Sequence, residues 1–278
     1  MKIKLFFTLC LSGISILSFA QLTPQLTTPQ DSTKPTSTKR AAQKAALKSM
    51  GVLYDKEWTL EGGIHTGGWS IGYNMGLIRT YYKTTFWHFG LEELKSPREA
   101  SVSNTDGGSG RSTRMYIYAK QNALLNLQVG YGLKNYFSEK ADKNGLGVGY
   151  SYCIGANLGL LKPYYLDIIQ PNQGQTQQQR PVATHYTPEN ERIFLDESRI
   201  DGASSFTYGF GEVTPIPGIF GRFGLHLDWG SGEEFAKAAE AGIKINAYPI
   251  KMPLMVTAPD NQAIFFNFYL IFQFGQRS

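Results

Sequence analysis

The chain has 278 residues and a small excess of basic side chains, 27 Lys and Arg against 22 Asp and Glu. Two of the lysines lie in the N-terminal leader described below, so the remainder is nearly balanced and lacks the concentrated positive charge that nucleic-acid binding requires. The composition includes 17 Phe, 16 Tyr, 4 Trp and 30 Gly. No segment after the leader approaches the roughly 18 consecutive apolar residues of a transmembrane helix.

The first 20 residues have the pattern of a secretory signal peptide. Lys2 and Lys4 precede an apolar run from residue 5 to residue 17, and Ser18, Phe19 and Ala20 supply a small-x-small cleavage site. We therefore expect an exported protein whose mature chain begins at residue 21. An exported membrane protein without apolar helices is expected to be a closed β-barrel, because only helices and closed barrels satisfy their backbone hydrogen bonds in a bilayer.

Residues 21–54 are predicted to be a flexible basic segment on the periplasmic side. The first part is rich in Thr, Pro and Gln, which favours disorder, and residues 39–50 are strong helix formers. The second part carries Lys39, Arg40, Lys44 and Lys48 without an acidic residue. These four cations are candidates for contact with anionic lipid headgroups or a periplasmic partner, and a solvated tether is the alternative interpretation.

From Trp58 onward the apolar residues recur with the two-residue period of a β-strand. Eleven segments show this pattern, and a twelfth at 249–259 is weakened by Pro253. The eleven are 58–65, 69–76, 83–92, 113–120, 123–133, 146–155, 158–168, 205–211, 219–229, 235–247 and 263–275. Since bacterial barrels close with an even number of strands, residues 55–278 are predicted to form an all-β, transmembrane, antiparallel up-and-down barrel of 12 strands, with 10 as the alternative.

The last segment, 263–275, gives the strongest signal for a membrane-facing wall. One parity is an unbroken apolar row: Ile264, Phe266, Phe268, Leu270, Phe272 and Phe274. The residues of the opposite parity, which include Asn267, Tyr269 and Gln273, are more polar than this row. This pattern predicts the strand that closes the barrel by pairing with the first strand near Trp58, whereas the alternative is an edge strand of a soluble sandwich.

The connections between the predicted strands are expected to be short turns on one side and long loops on the other. Glycine turns are predicted at 67–68 and 230–232, and a Pro-Gly turn at 215–218. Residues 121–122 are predicted to connect the 113–120 and 123–133 segments as a hairpin. Residues 169–204 form the longest stretch without strand periodicity, and we expect it to be an external loop.

Parity also predicts which side chains face the lumen. The candidate lumen network consists of Glu61, His65, Arg222, His226, Asp228, Glu240 and Lys244, accompanied by Asn74 and Asn246. Charges of both signs on neighbouring strands predict cross-strand ion pairs that fill and cross-link a narrow lumen. His88 is assigned instead to an aromatic belt or a wall contact. The small inward residues of 146–155 are expected to leave room in the lumen.

A catalytic interpretation of the same residues is the alternative. His65 or His226 would act as a general base beside Glu61 or Asp228, with Ser70 or Ser151 as the nucleophile. The four histidines are scattered along the sequence, and we find no phosphate loop, dinucleotide fingerprint or CxxC pair. We therefore expect no catalytic activity, no metal site and no cofactor. Cys153 is the only cysteine after residue 20.

Over roughly 58–275 the chain resembles outer-membrane β-barrel proteins of the Bacteroidota. The resemblance depends on the signal peptide ending at Ala20, the GGWSIGY hairpin at 67–73, the Pro217-Gly218 pair and the FNFYLIFQFG strand at 266–275. It implies a Gram-negative outer membrane containing lipopolysaccharide, with the N-terminal segment and the C-terminus in the periplasm. It loosely implies an accessory subunit of an envelope complex for outer-membrane protein assembly or secretion, in contact with other envelope proteins. A small-solute pore and a lumen hydrolase acting on lipid or peptide are the alternatives.

Overall fold

The structure is a computed structural model that describes residues 54–80, 82–103, 114–137, 146–169, 181–229, 234–256 and 261–278. All of these residues belong to one of the two compact units of the chain, Lys44–Ser278. The predicted signal peptide and the four basic residues Lys39, Arg40, Lys44 and Lys48 lie outside the described residues.

Eight antiparallel strands close into a barrel in which each strand pairs with the strands next to it along the wall. In chain order these are β1 (Lys56–His65), β2 (Gly68–Thr80), β3 (Lys83–Leu94), β6 (Asn122–Tyr136), β7 (Gly147–Pro163), β11 (Thr214–Asp228), β12 (Phe235–Ala247) and β13 (Ile264–Arg277). The wall closes where β1 meets β13, with Leu60 opposite Phe274. The prediction of an all-β, antiparallel, up-and-down barrel whose last strand pairs with its first is confirmed.

The predicted strand number of 12, with 10 as the alternative, is wrong because several segments with strand periodicity do not enter the wall. Among the described residues 114–120 of the predicted 113–120 strand, only β5 (Tyr116–Ile117) is a strand, and it pairs with β4 (Ser101–Val102) rather than with β6. The predicted 158–168 strand is divided at Tyr164. Its first half continues β7, and its second half is β8 (Tyr165–Ile169) in a separate sheet.

The 205–211 segment is also not a strand. Its alternating rings belong to a surface turn and a 3₁₀ helix, Phe210–Glu212, and Gly209 adopts the left-handed φ of 84° that interrupts an extended chain. In the doubtful 249–259 segment, the described residues 249–256 contribute only an isolated bridge between Met255 and Lys120. The residues of 205–211 are exposed at nearly every position, and those of 249–256 do not alternate strictly between buried and exposed, so neither segment has the two-sided environment of a wall strand.

The Pro-Gly turn predicted at 215–218 is part of β11. Pro215 lies opposite Leu160 and Pro217 opposite Leu158 on β7. On the other side of β11 the pairing with β12 ends at Ile219. Residues 214–218 therefore have a neighbouring strand on one side only, which is the arrangement in which the missing proline N–H is tolerated.

The two ends of the barrel differ in the length of their connections. The first residues of β1 and the last residues of β13 lie at the barrel end where residues 81–82, 137–146 and 229–234 join neighbouring strands, and we call this the terminal end. At the opposite end, the far end, only the β1–β2 hairpin is short; its Gly68 has a φ of 146°, and a Cβ there would collide with the Glu93 carbonyl. The other far-end connections span 95–121, 164–213 and 248–263.

The described parts of the long far-end connections are folded, so the prediction of a long irregular stretch at 169–204 is wrong for these parts. Strands β8, β9 (Pro181–His185) and β10 (Ile200–Ala203) form a sheet in the order β10-β8-β9. A short helix, α1 (Glu191–Phe194), and a 3₁₀ helix, Glu197–Arg199, connect β9 to β10. We call these elements with β4 and β5 the far-end subdomain. Its apolar core contains Tyr116, Leu166, Ile168, Phe194 and Ile200.

A second apolar cluster, the mouth cluster, closes the far end of the lumen. Five of its members end the inward-facing rows of barrel strands: Leu94, Leu124, Leu161, Ile216 and Phe265. The others come from the connections that cover the mouth: Ala119, Tyr248, Met252, Leu254 and Met255. Burial raises the pKa of the Tyr248 hydroxyl, as expected for a phenol surrounded by apolar side chains.

Large apolar side chains cover the outside of the wall, whereas most polar side chains of the strands point inward. On β13 the outward row Ile264, Phe266, Phe268, Leu270, Phe272 and Phe274 is exposed along its whole length. The inward row of the same strand includes buried Asn267 and Gln273. The polarity is thus opposite to that of a water-soluble protein, in which the apolar face of a sheet packs into the core.

Replacement of Gly130 should destabilise the barrel because this glycine makes room for the ring of Phe220, which comes from β11, two strands away along the wall. A Cβ at Gly130 would lie 2.8 Å from Phe220 Cζ and 2.9 Å from Cys153 Sγ. We expect Gly130→Ala to lower the free energy of unfolding by about 1 to 3 kcal/mol. Urea unfolding in detergent micelles, followed by tryptophan fluorescence, measures this change.

Gly221→Ala is the matched control, because a Cβ at Gly221 meets no atom within 4 Å. The control should change the free energy of unfolding by no more than about 0.5 kcal/mol. Equal unfolding midpoints for the two variants would contradict the close packing inferred between β6 and Phe220.

Candidate functional site

The structure places the seven residues of the predicted lumen network inside the barrel. They come from three strands, β1, β11 and β12, and each has at most 8% of its surface exposed. The residues are Glu61, His65, Arg222, His226, Asp228, Glu240 and Lys244. Asn74 and Asn246 are buried with them. Along the barrel axis the contacts divide these residues among three layers.

The middle layer is centred on a two-pronged ion pair across the lumen. Arg222 donates from Nη1 to Glu61 Oε1 at 2.7 Å and from Nη2 to Glu61 Oε2 at 3.2 Å. Glu240 lies on the other side of the guanidinium, with its Oε1 3.9 Å from Arg222 Nε. Tyr269 donates its hydroxyl to Glu240 at 2.7 Å, and His226 Nδ1 is 3.3 Å from the same carboxylate. Two carboxylates therefore share one guanidinium.

The far layer surrounds the carboxylate of Glu92. Lys244 Nζ donates to Glu92 Oε2 at 2.8 Å, and Oε1 accepts hydrogen bonds from three side-chain amides. The amides are those of Asn126, Gln128 and Asn246, at 2.8, 2.7 and 2.9 Å. His65 Nε2 is 4.0 Å from Glu92 Oε2. Because four donors satisfy this buried carboxylate, its charge is compensated locally.

The terminal layer joins the first and last strands. Glu57 accepts from Lys134 Nζ at 3.0 Å and from Arg277 Nε at 2.8 Å. Arg277 Nη2 also donates to Asp228, and Tyr136 contacts Asp228 at 3.4 Å. Two cations therefore face two carboxylates where β1 and β13 meet. This layer connects the closure of the wall to the charges in the lumen.

Some members of the layers were missed because the predicted strands were too short. Glu57 precedes the predicted start at Trp58, Lys134 follows the predicted end at residue 133, and Arg277 follows the predicted end at residue 275. Glu92 is the last residue of the predicted 83–92 strand, and its parity, opposite to that of Trp87 and Phe89, places it on the inward face. Extending the other three strands with unchanged parity would have found Glu57, Lys134 and Arg277.

The assignment of His88 to an aromatic belt or a wall contact is wrong. His88 is buried in the lumen, with Nδ1 2.9 Å from Asn74 Oδ1 and 3.5 Å from Glu61 Oε1. Its neighbours Trp87 and Phe89 face outward. The alternation of the strand therefore directs the intervening imidazole to the charged interior.

The room expected beside the small inward residues of β7 is filled from other strands. Phe86 and Phe220 pack with Cys153 in a buried cluster. The rings lie against glycine positions of β6 and β7, so that a Cβ at Gly155 would be 2.8 Å from Phe220 Cε1. Small residues on one part of the wall thus accommodate large side chains from another part.

The histidines proposed as general bases are held by groups that are not nucleophiles. His65 interacts with the Trp69 carbonyl, the Gly67 N–H and Glu92. His226 contacts Glu240, and its ring lies 5.7 Å from that of Tyr136. In the ranges that the structure describes, no group of three or more His, Cys, Asp or Glu residues is arranged to hold a metal ion.

A cleft of about 290 Å³ opens at the far end beside the mouth cluster. Its floor is apolar and includes Met252, Leu254 and Phe265, while Arg98 and Gln262 are among its polar residues. Met252, Leu254 and Phe265 also belong to the mouth cluster, so the cleft and the mouth cluster share one apolar surface.

Comparison with known proteins gives structural similarity but no matching sequence family. No protein-family model matches the sequence, and no curated protein matches it. Among solved structures, the N-terminal β-barrel domain of Pseudomonas aeruginosa OprF is similar to 79% of this chain and 96% of its own chain. The TM-score is 0.32 and the sequence identity is 9%.

None of the helices in the described ranges has the length and apolar character needed to cross a membrane.

Removing the guanidinium of the middle layer should strongly destabilise the barrel. Arg222→Met leaves the buried carboxylates of Glu61 and Glu240 without their shared cation. We expect a loss of about 3 to 5 kcal/mol in the free energy of unfolding, measured by urea titration in micelles. The Glu61→Gln/Arg222→Met double variant should lose less than the sum of the two single variants, because the residues interact directly.

Arg199→Met in the far-end subdomain is the matched control. Arg199 pairs with Asp196 at 2.9 Å, but both side chains are more than one-third exposed. Its replacement should cost no more than about 1 kcal/mol. If Arg222→Met were equally mild, the lumen would be accessible to water and the inferred compensation of buried charges would be wrong.

Proposed function

We propose that the protein is an integral outer-membrane β-barrel without catalytic activity, which serves as an accessory subunit of a cell-envelope complex for outer-membrane protein assembly or secretion. The observation that carries the proposal is the inverted polarity of the wall: an apolar outside surrounds a closed, charged inside.

The membrane location rests on the continuity of the outward apolar rows. Rows of exposed Trp, Phe, Leu and Ile side chains recur around the wall, as on β13 and on β11 with Ile219, Phe223, Leu225 and Leu227. An apolar surface that surrounds the molecule would be unfavourable in water, whereas hydrocarbon matches it. The closed wall also leaves no open sheet edge, which is the requirement for crossing a bilayer with strands.

The predicted signal peptide and the unequal loops suggest the orientation. In bacterial outer-membrane barrels, the short turns face the periplasm and the long loops face the outside. By this rule the terminal end of the barrel and both termini would be periplasmic, and the far-end subdomain would lie outside the cell. The lipids in contact with the wall would include lipopolysaccharide.

The filled lumen favours a binding role over the alternatives of a pore or a lumen hydrolase. Ion pairs and amides occupy the three charged layers, and the mouth cluster covers them at the far end. Neither a water-filled path nor a nucleophile beside a base is evident in this arrangement. We assign partner contacts to the folded far-end subdomain and to the basic residues Lys39, Arg40, Lys44 and Lys48.

The proposed membrane span predicts a penalty for charge on the outer face. Leu270 lies near the middle of β13 and faces outward, so Leu270→Arg should reduce the stability of the barrel in phosphatidylcholine vesicles by about 2 to 4 kcal/mol. The folded fraction after insertion is measured by the heat-dependent change in gel mobility. Met115→Arg in the far-end subdomain is the control, because Met115 is exposed outside the wall. Equal folded fractions for the two variants would contradict the membrane span.

The accessory role predicts a defined assembly in native membranes. After mild crosslinking, the chain should migrate with specific envelope proteins in one higher-mass complex on native gels. Replacing Lys39, Arg40, Lys44 and Lys48 by Gln should reduce recovery of that complex. Replacing the exposed barrel residues Lys56, Lys83 and Lys237 by Gln provides the control.

A chain that is always recovered alone would contradict the accessory role. Unitary conductance steps from the intact protein in planar bilayers would support the small-solute pore instead. A change in membrane lipid or peptide composition that depends on His65 and His226 would support the hydrolase.

A further inference from the structure

Residues 205–212 form an ordered turn on the outside of the barrel wall, and we call this segment the flap. It follows β10 and ends two residues before β11 begins at Thr214. Three aromatic side chains project from it: Phe206, Tyr208 and Phe210. Each is half exposed or more, with exposed fractions of 66%, 50% and 54%.

Lys162 holds the flap against the wall. On β7, Ile154 and Leu158 point outward, and Lys162 continues the same parity at the far end of the strand. Although it faces outward, Lys162 is 6% exposed, because the flap covers it. Its ammonium group lies 3.6 Å from the ring centroid of Phe206 and 4.5 Å from that of Phe210, and it donates to the Phe206 carbonyl. A cation between two aromatic rings and a carbonyl fixes both the rings and the backbone.

Further contacts give the flap a defined shape. The ring centroids of Phe206 and Phe210 are 5.4 Å apart in an edge-to-face arrangement. Tyr165 packs on Tyr208 at 5.6 Å, and the Tyr165 hydroxyl donates to Glu212 at 3.0 Å. Gly209 approaches the Pro163 carbonyl so closely that a Cβ would lie 2.9 Å from the oxygen. The exposed rings are therefore held in place before any partner binds.

The position of the flap favours lipid as its occupant. The apolar outer row of β7 leads directly to Lys162, and on the neighbouring strand β11 exposed Pro215 and Pro217 lie opposite Leu160 and Leu158 on the adjacent part of the wall. The rings of the flap thus continue the surface that the proposed function assigns to the bilayer. Tyr208 combines an apolar ring with a hydroxyl, a combination that is favoured at the boundary between hydrocarbon and headgroups, and Phe206 and Phe210 add apolar area beside it.

We propose that the flap is a membrane-surface anchor, in which Lys162 clamps Phe206 and Phe210 so that the aromatic turn inserts at the headgroup boundary of the leaflet facing the far end. This inference rests on the proposed membrane span. It adds a peripheral contact made by a segment outside the strands, which tethers the far-end subdomain to the lipid surface.

Spin labels at three positions test the proposal in the full chain, reconstituted in phosphatidylcholine and phosphatidylglycerol vesicles. Thr207→Cys places a nitroxide on the flap while keeping all three aromatic rings. Phe223→Cys reports from the outer wall, and Met115→Cys reports from the far-end subdomain. Wild-type protein treated in parallel gives the background, and its Cys153 is buried. Collision rates with oxygen and with a water-soluble nickel chelate measure the depth of each label.

The expected oxygen-to-nickel accessibility ratio is highest at position 223, intermediate at 207 and lowest at 115. Adding Lys162→Gln should increase label mobility at 207 and lower its ratio toward that at 115, whereas the label at 223 should be unaffected. A water-like ratio at 207 with a hydrocarbon-like ratio at 223 would overturn the anchor and leave the membrane span intact. A water-like ratio at 223 would overturn the membrane span itself. Unchanged mobility in Lys162→Gln would overturn the clamp.

Discussion

Compensation of charge inside a narrow lumen is the constraint on which the rest of the structure depends. The Glu61–Arg222 pair joins strands β1 and β11 across the interior, and Lys244 joins β12 to Glu92 of β3. Burying such groups is unfavourable unless each charge has a partner and each remaining polar atom has a hydrogen bond. The charged partners come from strands that are not neighbours in the wall, so the interior fixes the relative positions of strands that do not pair.

Size complementarity accompanies charge complementarity. Glycines on β6 and β7 admit Phe220, while the apolar residues of the mouth cluster pack at the far end of the lumen. An eight-stranded barrel has an interior just wide enough for side chains to fill, and this interior is filled by both means. A function that depends on solute passage would require these contacts to separate. A function that depends on the outer surface and the far-end subdomain leaves the lumen contacts intact. We therefore favour a binding role over solute passage.

The sequence predicted the wall well where strand periodicity and membrane polarity coincide. The row Ile264 to Phe274 and the inward positions of Glu61, Arg222 and Glu240 follow from a two-residue period. The strand number could not be predicted from the same period, because alternating apolar residues also occur in segments outside the wall. Phe206, Tyr208 and Phe210 alternate as strand residues do, yet they are exposed on a turn. Periodicity also stopped short of Lys134 and Arg277, since strand ends carry few apolar residues. The pairing of lumen charges across the barrel depends on tertiary structure and could not be read from spacing.

The contact between the first and last strands also has a consequence for how the barrel folds. Glu57 and Arg277 are 220 residues apart in sequence, and the backbones of Lys56 and Ser278 exchange hydrogen bonds beside them. Contacts of such long range form late, because the loop they close is costly in entropy. Until the seam forms, Glu57 lacks one of its two cations, and the sheet retains two open edges. Closure should therefore be a cooperative final step that completes the wall and neutralises the terminal layer at the same time.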